Sequence, residues 1–159
     1  MITYNKVYED FVKIKINNEV LIIYLYNRKL NLLNNIELTK NIKDILTNII
    51  NHYEINLSGI YNVIIYENNY YGYIIEINKI KEFEYSDYID LKIKIKHNHP
   101  FYCVFDNYKY VENCNDVYFN NNLYFVNISQ LNNVNSIFEF GDIVYNDYLL
   151  TLSECVKIK

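Results

Sequence analysis

Residues 36–53 read IELTKNIKDILTNIINHY, in which apolar side chains return every three or four positions. This spacing places them along one stripe of an α-helix, while lysine, aspartate and asparagine occupy the other side. The stripe comprises Leu38, Ile42, Ile45, Leu46, Ile49, Ile50 and Tyr53. Asn34 or Asn35 is placed to cap the first free N–H groups, and with Asn34 as the cap Glu37 takes the reciprocal position. The stretch predicts one long amphipathic helix.

The segments on either side of this helix have the pattern of β-hairpins. Residues 11–26 read FVKIKINNEVLIIYLY, with strict alternation of apolar residues and lysine before Asn17-Asn18. Residues 60–77 place two apolar runs around Asn68-Asn69. Asparagine tolerates the positive φ of a type I′ turn, so a two-residue turn is expected in each hairpin. The second hairpin is apolar on both faces, which predicts either a central position in a sheet or a face that is covered by something besides the helix.

The second half of the chain contains two further hairpin patterns. LKIKIK at 91–96 alternates lysine with apolar residues, and FYCVF at 101–105 follows it across His97–Pro100. The runs DVYF and LYFVNI flank an asparagine triplet at 120–122. We therefore expect a third and a fourth hairpin here.

Helices are expected after the fourth hairpin. Ser129 can cap a helix with a stripe of Leu131, Val134 and Ile137 or Phe138, and FEFGDIVY at 138–145 reads as a strand. Asp147 can cap a C-terminal helix. Its inward residues would be Leu149, Leu152, Cys155 and Val156.

Together these elements predict an α+β fold in which antiparallel hairpins pack on one long amphipathic helix, followed by a second β-rich half that ends in short helices. Residues 1–80 form the ββαββ domain of this prediction, and residues 81–159 form the half with hairpins and short helices. The charged stretch 79–90 is the candidate linker. One continuous domain remains the alternative.

The composition is strongly biased. The chain has 27 Asn and 25 Ile among 159 residues but no Ala, no Trp and one Arg, Arg28. Amino acids with A/T-rich codons are thus favoured, which indicates a gene from an AT-rich, bacterial type of genome. With 51% hydrophobic and 17% aromatic residues, the chain is expected to fold and not to be disordered.

Charge and hydropathy narrow the classes of partner. The formal net charge is −4, and a mildly acidic chain with one Arg lacks the basic footprint of a nucleic-acid-binding protein. No apolar run is long enough for a membrane span, and the N-terminus has no leader pattern, so we expect a cytoplasmic protein without a membrane partner. Three cysteines are an odd number, which favours reduced thiols.

The residue types that bind metals cluster once along the chain. His97 and His99 are followed by Cys103 and Cys114, and zinc prefers imidazole and thiolate ligands. The spacing lacks a close CxxC pair, so a pair of turn histidines beside two ordinary cysteines is the alternative. No paired carboxylates, nucleophilic dyad or Gly-rich phosphate loop stands out, and we expect no catalytic residue and no cofactor.

Tyrosines crowd the second hairpin and its turn. They are Tyr61, Tyr66, Tyr70, Tyr71 and Tyr73. A tyrosine ring with a polar tip is typical of a binding surface that stays in contact with water. These five residues are the candidate partner-binding set, and the alternative is that they are core or rim aromatics supplied by the codon bias.

Residues 7–79 resemble the N-terminal domain of the MecA family of adaptor proteins. The likeness runs through an opening hairpin, one helix and a hairpin led by glycine, LSGIYNVIIYENNYYGYIIEINK. The later segments LYFVNI and IFEFGDIVYNDYLLTL are similar to the end of that family's C-terminal domain. The resemblance implies an adaptor that presents clients to a ClpC-type AAA+ unfoldase, with one half holding the client and the other docking on the machine.

The sequence thus predicts a non-enzymatic protein–protein interaction module, an adaptor or regulator with a protein partner. A small phage- or defence-related inhibitor that acts by surface binding is the first alternative. An uncharacterised domain with a His/Cys metal site is the second. The oligomeric state is left open by the sequence.

Overall fold

The computed structural model describes residues 6–8, 12–17, 20–26, 30, 32–53, 58–83, 88–131 and 141–159. Their elements are β1 Lys6–Tyr8, β2 Val12–Asn17, β3 Val20–Tyr26, α1 Asn35–Tyr53, β4 Gly59–Asn68, β5 Gly72–Glu82, β6 Ile89–Lys96, β7 Tyr102–Phe105, the 3₁₀ turn η1 Tyr108–Tyr110, β8 Tyr118–Asn120, β9 Leu123–Asn127, the 3₁₀ turn η2 Ile128–Gln130, β10 Gly141–Val144, α2 Tyr148–Ser153 and β11 Val156–Lys157. Strands dominate, so the predicted α+β class holds in this coarse sense.

The chain divides into two compact units. The first unit comprises residues 1–67 and 72–97, and the second comprises 68–71 and 98–159. The first contains a sheet of order β1-β2-β3-β5-β4-β6, and the second contains a sheet of order β10-β7-β9-β8-β11. Within the described part of the chain, no helix has the length and hydropathy needed to cross a membrane.

The first two predicted hairpins are present in the first sheet. β2 pairs antiparallel with β3 and the ladder closes at Asn17↔Val20, so the two-residue connection is 18–19, one position later than predicted and outside the described residues. The β4–β5 hairpin lies between β3 and β6, which confirms its predicted central position. Asn34 caps α1, because its side-chain oxygen accepts hydrogen bonds from the N–H groups of Ile36 and Glu37, both at 3.2 Å.

The core of the first unit is built from one face of its sheet and from α1. Leu38, Ile42 and Leu46 of the helix are buried in one cluster with side chains of β3, β4 and β5. The strand residues of this cluster are Ile23, Leu25, Tyr61, Val63, Ile65, Tyr73, Ile75 and Ile77. Alternate residues of β6 extend the cluster toward the sheet edge, which fits the period-2 pattern of LKIKIK.

The finer prediction of one long amphipathic helix is not supported. Burial is established for Leu38, Ile42 and Leu46, and Ile45 is partly buried. The side chains of the remaining predicted stripe, Ile49, Ile50 and Tyr53, lie outside the described residues.

The predicted third hairpin is wrong. β6 pairs parallel with β4 in the first sheet, from Gly59↔Ile89 to Tyr66↔Lys96, while β7 pairs with β9 and β10 in the second sheet. The apolar face of β6 completes the core beside β4, and this burial outweighs the short connection that would have favoured β7. Six of the twelve residues of the predicted linker 79–90 are strand, because β5 runs to Glu82 and β6 starts at Ile89, and residues 84–87 lie outside the described residues.

Asparagine shapes two hairpin turns in different ways. At the β8–β9 turn, Asn121 and Asn122 both have positive φ, 49° and 63°, as a type I′ turn requires. At the β4–β5 turn neither Asn68 nor Asn69 has positive φ, so the predicted turn type is wrong there. The Asn68 side chain instead accepts hydrogen bonds from the N–H groups of Tyr70 and Tyr71, at 2.9 and 3.0 Å.

Gly59 marks a close approach at the start of β4. Its φ is +150°, and a Cβ at this position would lie 2.2 Å from the carbonyl oxygen of Lys81. The adjoining Ser58 hydroxyl donates a hydrogen bond to the carbonyl of Phe83. Glycine is therefore required where β4 begins.

The end of the chain differs from its prediction. The helix expected after Ser129 falls mostly on 132–140, outside the described residues, and only η2 is described before them. β10 confirms part of the predicted strand. The C-terminal helix α2 ends at Ser153, and Val156 lies in β11, paired with Phe119 of β8. The prediction that Leu149 and Val156 face inward is wrong, since both are exposed.

Candidate functional site

The two histidines of the predicted metal set lie in different units. In the first unit, His97 Nδ1 lies 3.1 Å from a carboxylate oxygen of Glu67, and both side chains reach solvent. In the second unit, His99 Nε2 lies within hydrogen-bonding distance of the Tyr145 carbonyl oxygen. The His99 ring also packs edge-on against Tyr148, with centroids 5.6 Å apart. These contacts give His99 a bracing role under α2.

The two cysteines of the set are buried in the second unit. Burial holds the pKa of the Cys103 thiol far above its ordinary value, and the neighbouring Cys114 and Asp142 raise it further. Burial also raises the pKa of Cys114, while Lys159 acts in the opposite direction. Neutral thiols are poor nucleophiles and poor metal ligands. Among the described residues, no group of three or more His, Cys, Asp or Glu side chains is close enough to hold a metal ion.

The candidate partner-binding tyrosines are mostly core residues. Tyr61 and Tyr73 belong to the cluster under α1, and Tyr66 is buried with its hydroxyl 3.5 Å from a carboxylate oxygen of Glu76. Tyr71 is buried edge-on against Phe101, with centroids 5.6 Å apart. Tyr70 alone of the five is exposed, at 62%. A binding surface made of all five tyrosines therefore does not exist in this fold.

Large apolar side chains are exposed instead in the last eleven residues of the second unit. Leu149 and Leu150 of α2 are 71% and 65% exposed, and Val156 of β11 is 66% exposed. Ile158 is also exposed. We call Leu149, Leu150 and Val156 the C-terminal apolar segment. Single exposed apolar residues are common on protein surfaces, but several within a short segment indicate a contact surface.

The start of this segment is held by aromatic contacts. The Tyr148 ring stacks on Tyr102, with centroids 5.7 Å apart and planes inclined by 18°, in addition to its contact with His99. The Thr151 amide and hydroxyl both donate hydrogen bonds to the Asp147 carbonyl, at 3.0 and 3.1 Å. One side of α2 is thus anchored, and the two leucines project from the remainder.

The end of the segment is held by β11. The amide of Ile158 donates a hydrogen bond to the Val117 carbonyl at 2.9 Å, and the Val117 amide donates one to the Lys159 carbonyl at 3.2 Å. Lys157 Nζ lies 2.9 Å from a carboxylate oxygen of Asp116. Val156 belongs to this paired strand, and the residues that follow it are held by these hydrogen bonds. Its side chain is therefore exposed on an ordered backbone.

Comparisons with protein-family models, with curated proteins and with solved structures give no match for this chain. The assignment of a site therefore depends on the geometry of its own residues.

The sequence carried a signal for this site that the helical interpretation missed. VKIK at 156–159 alternates apolar residues with lysine, as LKIKIK does at 91–96, and such alternation is typical of a strand. A helix that must end before this strand is short, so it offers few positions at which apolar side chains can be buried. The strand pattern at 156–159 is thus the signal that indicates exposed apolar residues near the end of the chain.

Proposed function

We propose that this chain is a non-enzymatic protein-interaction module that acts as an adaptor or regulator. The observation that supports the proposal is the C-terminal apolar segment, whose side chains are exposed while the backbone around them is fixed. A surface already ordered before binding loses little conformational entropy when a partner covers it. Burying a leucine fully contributes about 1.5–3 kcal/mol, so two leucines and a valine are suitable anchors for an interface.

The chemistry of the described residues gives less support to other functions. The buried, protonated Cys103 and the bracing His99 are structural in their contacts. The formal net charge is −4 and the chain has one Arg, so it lacks the clustered basic residues that a nucleic-acid backbone requires. We therefore favour a protein partner over a nucleic acid, a metal or a small substrate.

The resemblance to MecA-type adaptors makes a AAA+ unfoldase the first partner class to test. Under that proposal, one unit holds a client protein and the other docks on the unfoldase. An inhibitor that covers the surface of a target enzyme would use the same kind of exposed apolar anchor. The two functions differ in outcome, since an adaptor stimulates turnover of a client and an inhibitor lowers the activity of its target.

Site-specific photo-crosslinking tests the proposal. A benzoylphenylalanine at position 150 is expected to crosslink a discrete protein in an extract of the source cell, whereas the same probe at position 33 is not. Leu33 is a matched control because it is equally apolar and 96% exposed in the first unit. The partner is then purified, and its binding must weaken on L149S/L150S substitution. A probe at position 150 that captures nothing more than the control would contradict the proposed function.

The purified partner then separates the two modes of action. If it is an unfoldase, the chain is expected to raise its ATPase activity and the degradation of a client. A fall in the partner's activity at equimolar chain would instead identify an inhibitor.

A further inference from the structure

We infer that the C-terminal apolar segment accepts a partner segment that is both apolar and basic, such as one face of an amphipathic helix rich in leucine and lysine. The inference rests on the proposed function and names the chemistry of the partner. It follows from the two carboxylates that flank α2 along the chain and from the net charge of the second unit.

Two carboxylates bracket the exposed leucines. Asp147 immediately precedes α2 and Glu154 immediately follows it, and both side chains are exposed. The ion pairs found among the described residues involve neither of them. An incoming cation can therefore approach each carboxylate without displacing a lysine that is already bound.

The cations of the second unit are engaged elsewhere. Lys157 pairs with Asp116, and Lys159 Nζ binds the carbonyl oxygens of Glu112 and Cys114 and lies 5.2 Å from the centre of the Tyr108 ring. Lys109 lies over the Tyr110 ring at 5.0 Å. These are the three basic residues of this unit, against seven acidic ones. The second unit therefore has an excess of negative charge, and two of its carboxylates, Asp147 and Glu154, lie next to α2.

This excess of negative charge distinguishes among the possible binding partners of the segment. Anionic lipid surfaces and nucleic-acid backbones would be repelled by it. Addition of a partner strand to β11 is disfavoured because this edge strand is two residues long, a length that limits edge-to-edge pairing. A helix laid across the surface needs only apolar contacts in the centre and cations at the rim. Such rim charges act mainly on selectivity and association rate, and salt weakens them.

The test uses the full chain and two labelled helical peptides of identical leucine pattern, one with lysine and one with glutamate at every polar position. Fluorescence anisotropy is expected to show the lysine peptide binding about tenfold or more tightly than the glutamate peptide at low salt. The preference should shrink at high salt, where the Debye length falls to about 3 Å.

Three variants assign the binding to this surface. L149S/L150S should weaken the lysine peptide by about tenfold or more, since the apolar anchors are removed. D147N/E154Q should reduce the preference for lysine over glutamate by about fivefold while the peptide still binds. Asparagine suits position 147 because the φ of Asp147 is positive, 28°. L33S/I36S, which changes exposed apolar residues of the first unit, should have no effect.

The outcomes separate this inference from the proposed function. Equal affinity for the two peptides, or a preference for the glutamate peptide, overturns the inference of a basic partner. Crosslinking from position 150 to a partner without a basic segment does the same. Neither result contradicts the proposal that this surface binds a protein. Lysine-peptide binding that persists unchanged in L149S/L150S reflects net charge alone and also overturns the inference. If sedimentation shows a self-association that L149S/L150S abolishes, the occupant is a second copy and not a basic partner.

Discussion

The β4–β5 hairpin and the C-terminal apolar segment reverse what their sequences predict. The hairpin has five tyrosines, amphipathic residues that favour interfaces, and four of them are buried. The C-terminal segment has leucine and valine, residues that favour cores, and its three members are exposed. Residue type alone therefore does not locate the binding surface of this protein.

The position of each element in its sheet explains the difference. β4 and β5 are interior strands of a six-stranded sheet, and Tyr61 and Tyr73 are buried in the cluster that one face of this sheet forms with α1. β11 is an edge strand of the second sheet, and α2 is a helix of six residues that is anchored through Tyr148. In a chain without Ala or Trp and with 19 Tyr, tyrosine also serves as the large core aromatic.

The largest expected effect comes from adjacent tyrosines at the hairpin turn. Y71A should destabilise the protein by about 3–5 kcal/mol, because it removes a buried ring that packs against Phe101. Y70A should change the free energy of unfolding by about 0.5 kcal/mol or less, since that ring is exposed. Urea denaturation of the two variants measures both values. Similar losses for Y70A and Y71A would remove the basis of the comparison.

The next prediction compares two leucines in helices. L46A should cost about 2–5 kcal/mol, because Leu46 is buried in the core under α1. L150A should cost about 0.5 kcal/mol or less, since its side chain on α2 meets water. Thermal and urea unfolding report the difference. A large loss of stability for L150A would show that Leu150 supports the fold, which leaves it unsuited as a binding anchor.

A smaller effect is expected from the buried thiol of β7. Because the pKa of Cys103 is raised in the folded state, the folded protein keeps this proton where the unfolded chain loses it, above about pH 9. The folded state then binds more protons, so stability falls as the pH rises. Below the pKa of the thiol in the unfolded chain, the thiol is neutral in both states and does not make the stability depend on pH.

The variant C103A isolates this contribution, because the other titrating groups remain in both proteins. The stability advantage of the unsubstituted chain over C103A should shrink by about 1.4 kcal/mol between pH 8 and pH 10. Chemical denaturation across this range measures it. Parallel pH profiles for the two proteins would show that Cys103 ionises in the folded state and is not sealed in the core.

Local signals in the sequence were sufficient for several elements. Three features depend on residues that are close in sequence. They are the Asn34 cap of α1, the β2–β3 hairpin and the β8–β9 hairpin. The apolar faces of the β4–β5 hairpin correctly indicated a central position. These are features in which side-chain periodicity and turn chemistry agree.

Other features were set by contacts between residues that are far apart in the sequence. β6 could pair with β7 across a short connection or with β4 far along the chain, and its alternation is compatible with both. His99 was predicted as a metal ligand, but its ring contacts the Tyr145 carbonyl and the Tyr148 ring and so supports the start of α2. None of these partners is visible in a local pattern.

Hydroxyl-radical footprinting of the purified chain, read residue by residue by mass spectrometry, tests the central claim most directly. The account predicts rapid oxidation of Leu149, Leu150 and Tyr70 and strong protection of Tyr61, Tyr66, Tyr71 and Tyr73. Protected leucines together with rapidly oxidised hairpin tyrosines would contradict it, and would return the binding surface to the β4–β5 hairpin.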